Sequence, residues 1–206
     1  YLKKLRDICT RHGILLIFDE VITGFGRAGA ATASEKLGIQ PDLICLAKGL
    51  TNGAVPMGAV AMSSDIFEAL MNGPEHAIEF LHGYTYSGHP VASAAGLAVL
   101  DIAKHEGLFE RAAMLAPYFE EAVHSLKGVP NVIDIRNFGL AAGVELAPRS
   151  GLPGMRGLDV FRECFDRGIL SRVTGDILAL APALIAGKTQ IDQLVETLES
   201  AIRITE

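Results

Sequence analysis

The chain has 206 residues, 50% of them hydrophobic and 20% charged, with a formal net charge of -6. That is enough apolar residue for a sizeable core, and the mild acidity excludes the cationic field by which proteins hold nucleic acid or an anionic membrane. The cysteines Cys9, Cys45 and Cys164 lie far apart without CxxC spacing, which argues against a disulfide framework and a zinc site and favours a reducing compartment.

Leu2, Leu5, Ile8 and Cys9 recur at helical spacing from the first residues, with no capping residue ahead of them. The chain thus reads as starting inside a helix, with Tyr1 in first place, and as the later part of a longer polypeptide. No apolar run reaches the ~18 residues of a membrane span and no signal peptide opens the sequence, so a soluble, cytoplasmic protein is expected. Gly13 closes the first helix. The run ILLIF (14–18) predicts a strand covered on both faces, with Asp19 and Glu20 at its C-terminal end. A glycine-rich loop and a short helix (about 32–37) lead through Pro41-Asp42 to a second apolar strand, LICLA, which runs into Lys48. A short strand at 58–62 follows, then a helix capped by Ser63 or Ser64 with Asp65 in its first turn. This half is expected to be α/β with a mainly parallel sheet.

Residues 73–90 form a loop rich in Gly, His and Tyr, and a small-residue helix runs from Pro90 to Gly107. A second long helix covers about 109–126. Beyond Gly128 the segments VIDIR, AAGVELA and ILALAP predict short strands, with helices near 158–167 and 191–204, as in an α+β module. The boundary falls between about 105 and 128, giving domains 1–115 and 116–206.

Three motifs suggest nucleotide binding and each fails on context. GFGRAG (24–29) fits G-x-G-x-x-G, but Gly24 does not sit at the strand-to-helix turn and the next strand ends in a lysine. LLIFDE resembles an ATPase strand, yet GKT (187–189) lies far downstream and Pro182 stands where a phosphate loop needs its first glycine. His82 and His89 have no carboxylate at ligand spacing, so no metal site is expected.

Parallel strands place their C-terminal ends on one edge, so Asp19 and Lys48 face one crevice if their strands are parallel neighbours. Pyridoxal phosphate needs this combination: an amine to form an imine and a carboxylate to keep the pyridine nitrogen protonated. On spacing alone the plainer reading, a solvated strand-end lysine and a loop-capping acid, is favoured.

The stretches IFDEVITGFGRAG, PDLICLAKGLTNGAVPMGAV and HGYTYSGHPVASAAGLAVL, with RNFGLAAGVEL and RVTGDILALAPALI, resemble successive blocks of the class III aminotransferases, closest to the omega-amino acid:pyruvate branch. The resemblance implies the later part of a fold-type-I large domain followed by a C-terminal α+β small domain. It makes Lys48 the lysine that carries pyridoxal 5'-phosphate as a Schiff base and shuttles a proton at the substrate Cα, in surroundings dry enough to lower its basicity. Asp19 then pairs with the pyridinium nitrogen and Val21 packs on the ring, with Ile22 where the family often has Gln. Thr85 reaches the cofactor phosphate of a neighbouring subunit, which calls for a homodimer or higher homo-oligomer; its plainer role is a hydroxyl at a helix start. Arg172 binds the substrate carboxylate through its planar fork, with a surface strand arginine as the plain alternative. Glu20 either orients neighbouring groups or caps a turn, and Arg27 is either a second cation near the site or a loop anchor. The implied reaction moves an amino group between β-alanine or alanine and a keto acid such as pyruvate. Another class III aminotransferase or an aminomutase stays open, as does a catalytically incomplete chain with an exposed sheet edge that only folds or associates with a partner.

Overall fold

A computed structural model describes residues 1–76, 80 and 82–205; within the predicted 73–90 loop, residues 77–79 and 81 lie outside the described residues. The chain divides into two units, Tyr1–Phe25 with Ala30–Gly107, and Gly26–Gly29 with Leu108–Glu206.

In the first unit, helix α1 (Leu2–His12) ends at Gly13, whose left-handed backbone (φ 63°) returns its N–H to the carbonyls of Cys9 and Thr10. Strand β1 is shorter than the apolar run, Ile17–Asp19. The reason lies in Asp42: its carboxylate accepts the Leu16 N–H at 2.6 Å and Arg6 at 2.7 Å, while Leu16 O accepts the Asp42 and Leu43 N–H groups. With its N–H taken by the Asp42 side chain, Leu16 meets the neighbouring strand through its carbonyl alone, and the ladder starts at Ile17. Strand β2 (Leu43–Leu46) pairs parallel to β1 with Ile17 opposite Leu43 and Asp19 opposite Cys45. Helix α2 (Ala33–Leu37) lies between them in sequence, capped by Thr32, whose hydroxyl accepts the Glu35 N–H at 3.1 Å.

Strand β3 (Ala59–Met62) runs antiparallel to β2, so the sheet β1-β2-β3 is mixed. The β2–β3 connection contains one 3-10 turn, Lys48–Leu50, and no α-helix to carry a parallel crossover. Helix α3 (Ser64–Met71) has Ser63 at its N-cap position, and α4 (Pro90–His105) starts with proline in its first turn, where no N–H is needed. The expectation that β1 is covered on both faces does not hold for this chain. Among the described strands β1 pairs only with β2, and Ile14, Leu15 and Ile17 are exposed.

The second unit holds the main core. Strands β4 (Val132–Phe138), β5 (Ala141–Leu146), β6 (Arg172–Thr174) and β7 (Ile177–Leu180) form an antiparallel sheet in the order β4-β5-β7-β6. Burial alternates along β5 and β7, so Val144, Leu146, Leu178 and Leu180 turn inward. Helices α5 (Leu108–His124), α6 (Met155–Asp166) and α7 (Lys188–Ile204) close over them with Phe119, Val160 and Leu198. Each such side chain contributes about 1.5–3 kcal/mol on burial. Cys164 is packed in this core, and burial pushes its thiol up to about 11.

Among the described residues no helix is long and apolar enough to cross a membrane, and no group of His, Cys, Asp and Glu is suited to hold a metal ion.

Candidate cofactor site

Asp19 closes β1 and lies opposite Cys45, which stands just ahead of Lys48 on the parallel neighbour. The acid and the amine therefore leave the same, C-terminal edge of the first unit's sheet. Asp19 is exposed, and its Oδ1 accepts the Val21 N–H at 3.0 Å, so the carboxylate and the valine are tied into one turn. Ile22 is exposed beside them.

Lys48 has a left-handed backbone, φ 45°, a conformation that costs a side-chain-bearing residue of order 1–3 kcal/mol and concentrates at functional sites. Phe25, on the loop after β1, is also left-handed at φ 55°, and it lies against the residue after the lysine: a Cβ at Gly49 would come within 2.7 Å of Phe25 Cβ. Lys48 itself is exposed, so the dry surroundings expected for it are not built by the described residues of this chain.

The two acids at the end of β1 separate. Successive strand residues point to opposite faces, and Glu20 is 1% exposed where Asp19 is open. The Glu20 carboxylate accepts Thr23 Oγ1 at 2.5 Å, Ala33 N–H at 2.8 Å and Ser34 N–H at 2.6 Å. Burial alone would raise this carboxyl, but the hydrogen bonds outweigh it and hold it below the ordinary range. It caps the first turn of α2, a role that alternation along the strand makes readable once the strand's end is known.

Thr85 is exposed within the turn Tyr84–Ser87, in which Ser87 N–H donates to Tyr84 O at 2.9 Å and Tyr84 N–H to Ser87 Oγ at 3.0 Å. The helix-start role does not apply to it, because the N-cap of α4 is His89. A cavity of about 480 Å³ adjoins this turn, lined by Pro56, Met57, Tyr84, Tyr86, Ser87 and His89 among others; Lys48, Asp19, Val21 and Thr85 are not part of its wall.

Arg172 opens β6 on the second unit and is exposed. Along one row of that sheet Arg172 pairs with Ala179, Ala179 with Gly143 and Gly143 with Arg136, so two arginines flank a floor of small residues. Arg136 is held there by Asp134 and by Glu145 at 2.8 Å.

The other motifs serve the fold. Arg27 donates to Leu140 O at 2.9 Å and Pro182 O at 2.6 Å, so it is a loop anchor, and burial lowers its guanidinium below the ordinary value. Gly29 packs against Ala113 and Gly26 against Phe109 and Leu184, which accounts for the glycines of GFGRAG without a phosphate. Lys188 of GKT starts α7 with its ammonium 4.6 Å over the Tyr118 ring.

Residues 1–202 match the family described as aminotransferase class-III. The omega-aminotransferase of Caulobacter vibrioides is 57% identical over 202 residues, which are 98% of this chain and 46% of that protein. The beta-alanine--pyruvate aminotransferase of Pseudomonas aeruginosa is 50% identical over 204 residues, again 98% of this chain and 46% of the relative. Among solved structures, an amine transaminase from an uncultivated Pseudomonas species in its PLP-bound form superposes with a TM-score of 0.91 at 37% identity, covering 100% of this chain and 48% of that one. The chain thus spans about half the length of the curated relatives it matches. Asp19, Val21 and Lys48, collected on one sheet edge, offer the carboxylate, apolar contact and amine that this cofactor takes. With the match running over nearly its whole length, the chain belongs to the class III aminotransferases, a pyridoxal-phosphate-dependent family.

Proposed function

We propose that this chain is the lysine-bearing part of an omega-amino acid aminotransferase, which moves the amino group of a donor such as β-alanine or alanine to a keto acid such as pyruvate. The observation that carries the reading is Lys48 on a left-handed backbone at the C-terminal edge of β2, beside the parallel strand that ends in Asp19. The similarity to an omega-aminotransferase and a beta-alanine--pyruvate aminotransferase supports the substrate class.

When bound, pyridoxal phosphate supplies an electron sink for the substrate Cα and a carrier for the amino group. Lys48 would hold the cofactor through its amine, and the same amine is the group that would move a proton at the substrate Cα. Asp19 keeps the ring nitrogen's proton in place, and Val21, tied to it by the 3.0 Å bond, packs on the ring. Arg172 takes the substrate carboxylate in its planar fork and stays charged throughout. Thr85 donates its hydroxyl to the cofactor phosphate of a second subunit. Association with a second copy is supported by α4, which buries Ala92, Gly96 and Ala103 on one side and exposes Val91, Leu97, Leu100 and Ile102.

The test is alanine formation from β-alanine and pyruvate by the intact protein, followed with and without the keto acid. The reading expects turnover that requires pyruvate and an apparent KM for pyruvate that rises at least about tenfold in Arg172→Ala, the loss of one charge-assisted contact. Conversion of the amine without any keto acid would point to an aminomutase instead, and an unchanged KM would remove Arg172 from its role.

A further inference from the structure

Glu20 is buried against Asp19's strand end, and more of the local backbone converges on it than a helix cap requires. Its N–H donates to Cys45 O at 2.9 Å as the last rung between β1 and β2, and its O accepts the Gly24 N–H at 2.9 Å. Its side chain gathers Thr23 from the same turn and both leading amides of α2, Ala33 and Ser34. Val21, whose N–H holds the Asp19 carboxylate, lies inside the loop closed by the Glu20 O to Gly24 bond. Gly24 fits only without a side chain, since a Cβ there would stand 2.9 Å from Glu20 O.

We propose that Glu20 is a positioning residue for the cofactor site, its buried carboxylate fixing the Asp19–Val21 turn by binding the turn and the start of α2 at once. This rests on the reading of Asp19 and Val21 as cofactor contacts. The chemistry requires a carboxylate. The three donors converge on two oxygens, Thr23 and Ala33 on Oε2 and Ser34 on Oε1. An amide of the same shape has one acceptor and would turn its NH2 towards an N–H or O–H donor. In Glu20→Gln the single amide oxygen keeps at most two of these donors and the remaining one meets an NH2, so the tie between the turn and the start of α2 weakens while the sheet rung to Cys45 stays.

Thr32 provides the control, because it caps the same helix through Glu35 N–H, and among the described residues its hydroxyl reaches Ser34 Oγ at 2.9 Å rather than the Glu20 carboxylate. If Glu20 only stabilised α2, Thr32→Ala and Glu20→Gln would have the same consequences. The experiment measures backbone 15N order parameters of Asp19 and Val21 in the chain without cofactor, then the dissociation constant of added pyridoxal phosphate, for the wild type, Thr32→Ala, Thr23→Val and Glu20→Gln. Order parameters near 0.85 in the wild type and Thr32→Ala, falling below about 0.6 in Glu20→Gln, are expected. Cofactor affinity is expected to weaken at least about tenfold in Glu20→Gln and by less in Thr23→Val, which removes one of the three donors and serves if Glu20→Gln does not fold. Rigid Asp19 and Val21 amides in both Glu20→Gln and Thr23→Val, or equal loosening in Thr32→Ala, would overturn the proposal. Lys48→Ala in the same titration separates the two readings: if it binds cofactor as the wild type does, the functional reading of the site fails, while the order parameters still report on Glu20.

Discussion

Gly49 and Phe25 approach so closely that a single added methyl group at Gly49 would lie 2.7 Å from Phe25 Cβ, and Gly49 directly follows the lysine at the strand edge. The contact locks the loop after β1 against the turn after β2, the two segments that leave the sheet at Asp19 and Leu46 and carry Val21 and Lys48. Gly49→Ala is therefore expected to cost about 1–3 kcal/mol of stability, the usual penalty for overpacking a fitted contact. Urea denaturation checks it. A wild-type midpoint would mean that the Phe25 ring moves aside freely.

Lys48 pays for its place in backbone strain, and that strain is measurable. At φ 45° glycine is at ease and alanine is not. Lys48→Gly is expected to be more stable than Lys48→Ala by ~1 kcal/mol, although both lack the amine. Equal stability of the two variants would show that the turn relaxes when the lysine is removed.

Gly139→Ala tests the anchoring of the 26–29 loop. Gly139 has φ 59°, and a Cβ there would stand 2.5 Å from Arg27 O and 2.8 Å from Ala28 Cα, both backbone atoms that cannot step aside. Strain and overlap together are expected to destabilise the protein by at least about 2 kcal/mol. Thermal unfolding of the variant reads this directly.

Stability towards acid follows from Glu20 and Asp42. Asp42 is held low by the Leu16 N–H and by Arg6, and Glu20 by Thr23, Ala33 and Ser34 in spite of its burial. Both carboxyls sit below their unfolded values of about 4, so the unfolded chain binds protons more readily. Their contribution is complete above that pH and is lost as pH falls through the lower folded values. Denaturation midpoints between pH 7 and 3 should drop steeply at the acid end, and Asp42→Asn should flatten part of that drop while lowering stability at pH 7.

How much of this was legible in the sequence depends on whether local chemistry or distant pairing decided the outcome. Pro90 announces the start of α4, Gly13 closes α1, and alternation gives β5 and β7 their buried faces, because those signals act within a few residues. The shared edge of Asp19 and Lys48 also followed from two apolar runs, and the parallel β1–β2 register supplies it. The run at residues 14–18 misled because the Asp42 side chain, remote in sequence, takes the Leu16 N–H before the ladder starts. The antiparallel turn of β3 is set by its connection, which lacks a crossover helix. The left-handed backbone of Lys48 and the Phe25–Gly49 contact leave no periodic mark at all. Glu20 was ambiguous for another reason: its function depends on which face of β1 is buried, and that is fixed by α2 rather than by neighbours in the chain.

Whether Lys48 holds pyridoxal phosphate is read from the visible absorption spectrum of the protein with added cofactor. The wild type should develop a band that Lys48→Ala lacks, that fades on adding β-alanine or alanine and that returns with pyruvate. A band of equal strength in Lys48→Ala, or one unmoved by either amine, would contradict the assignment.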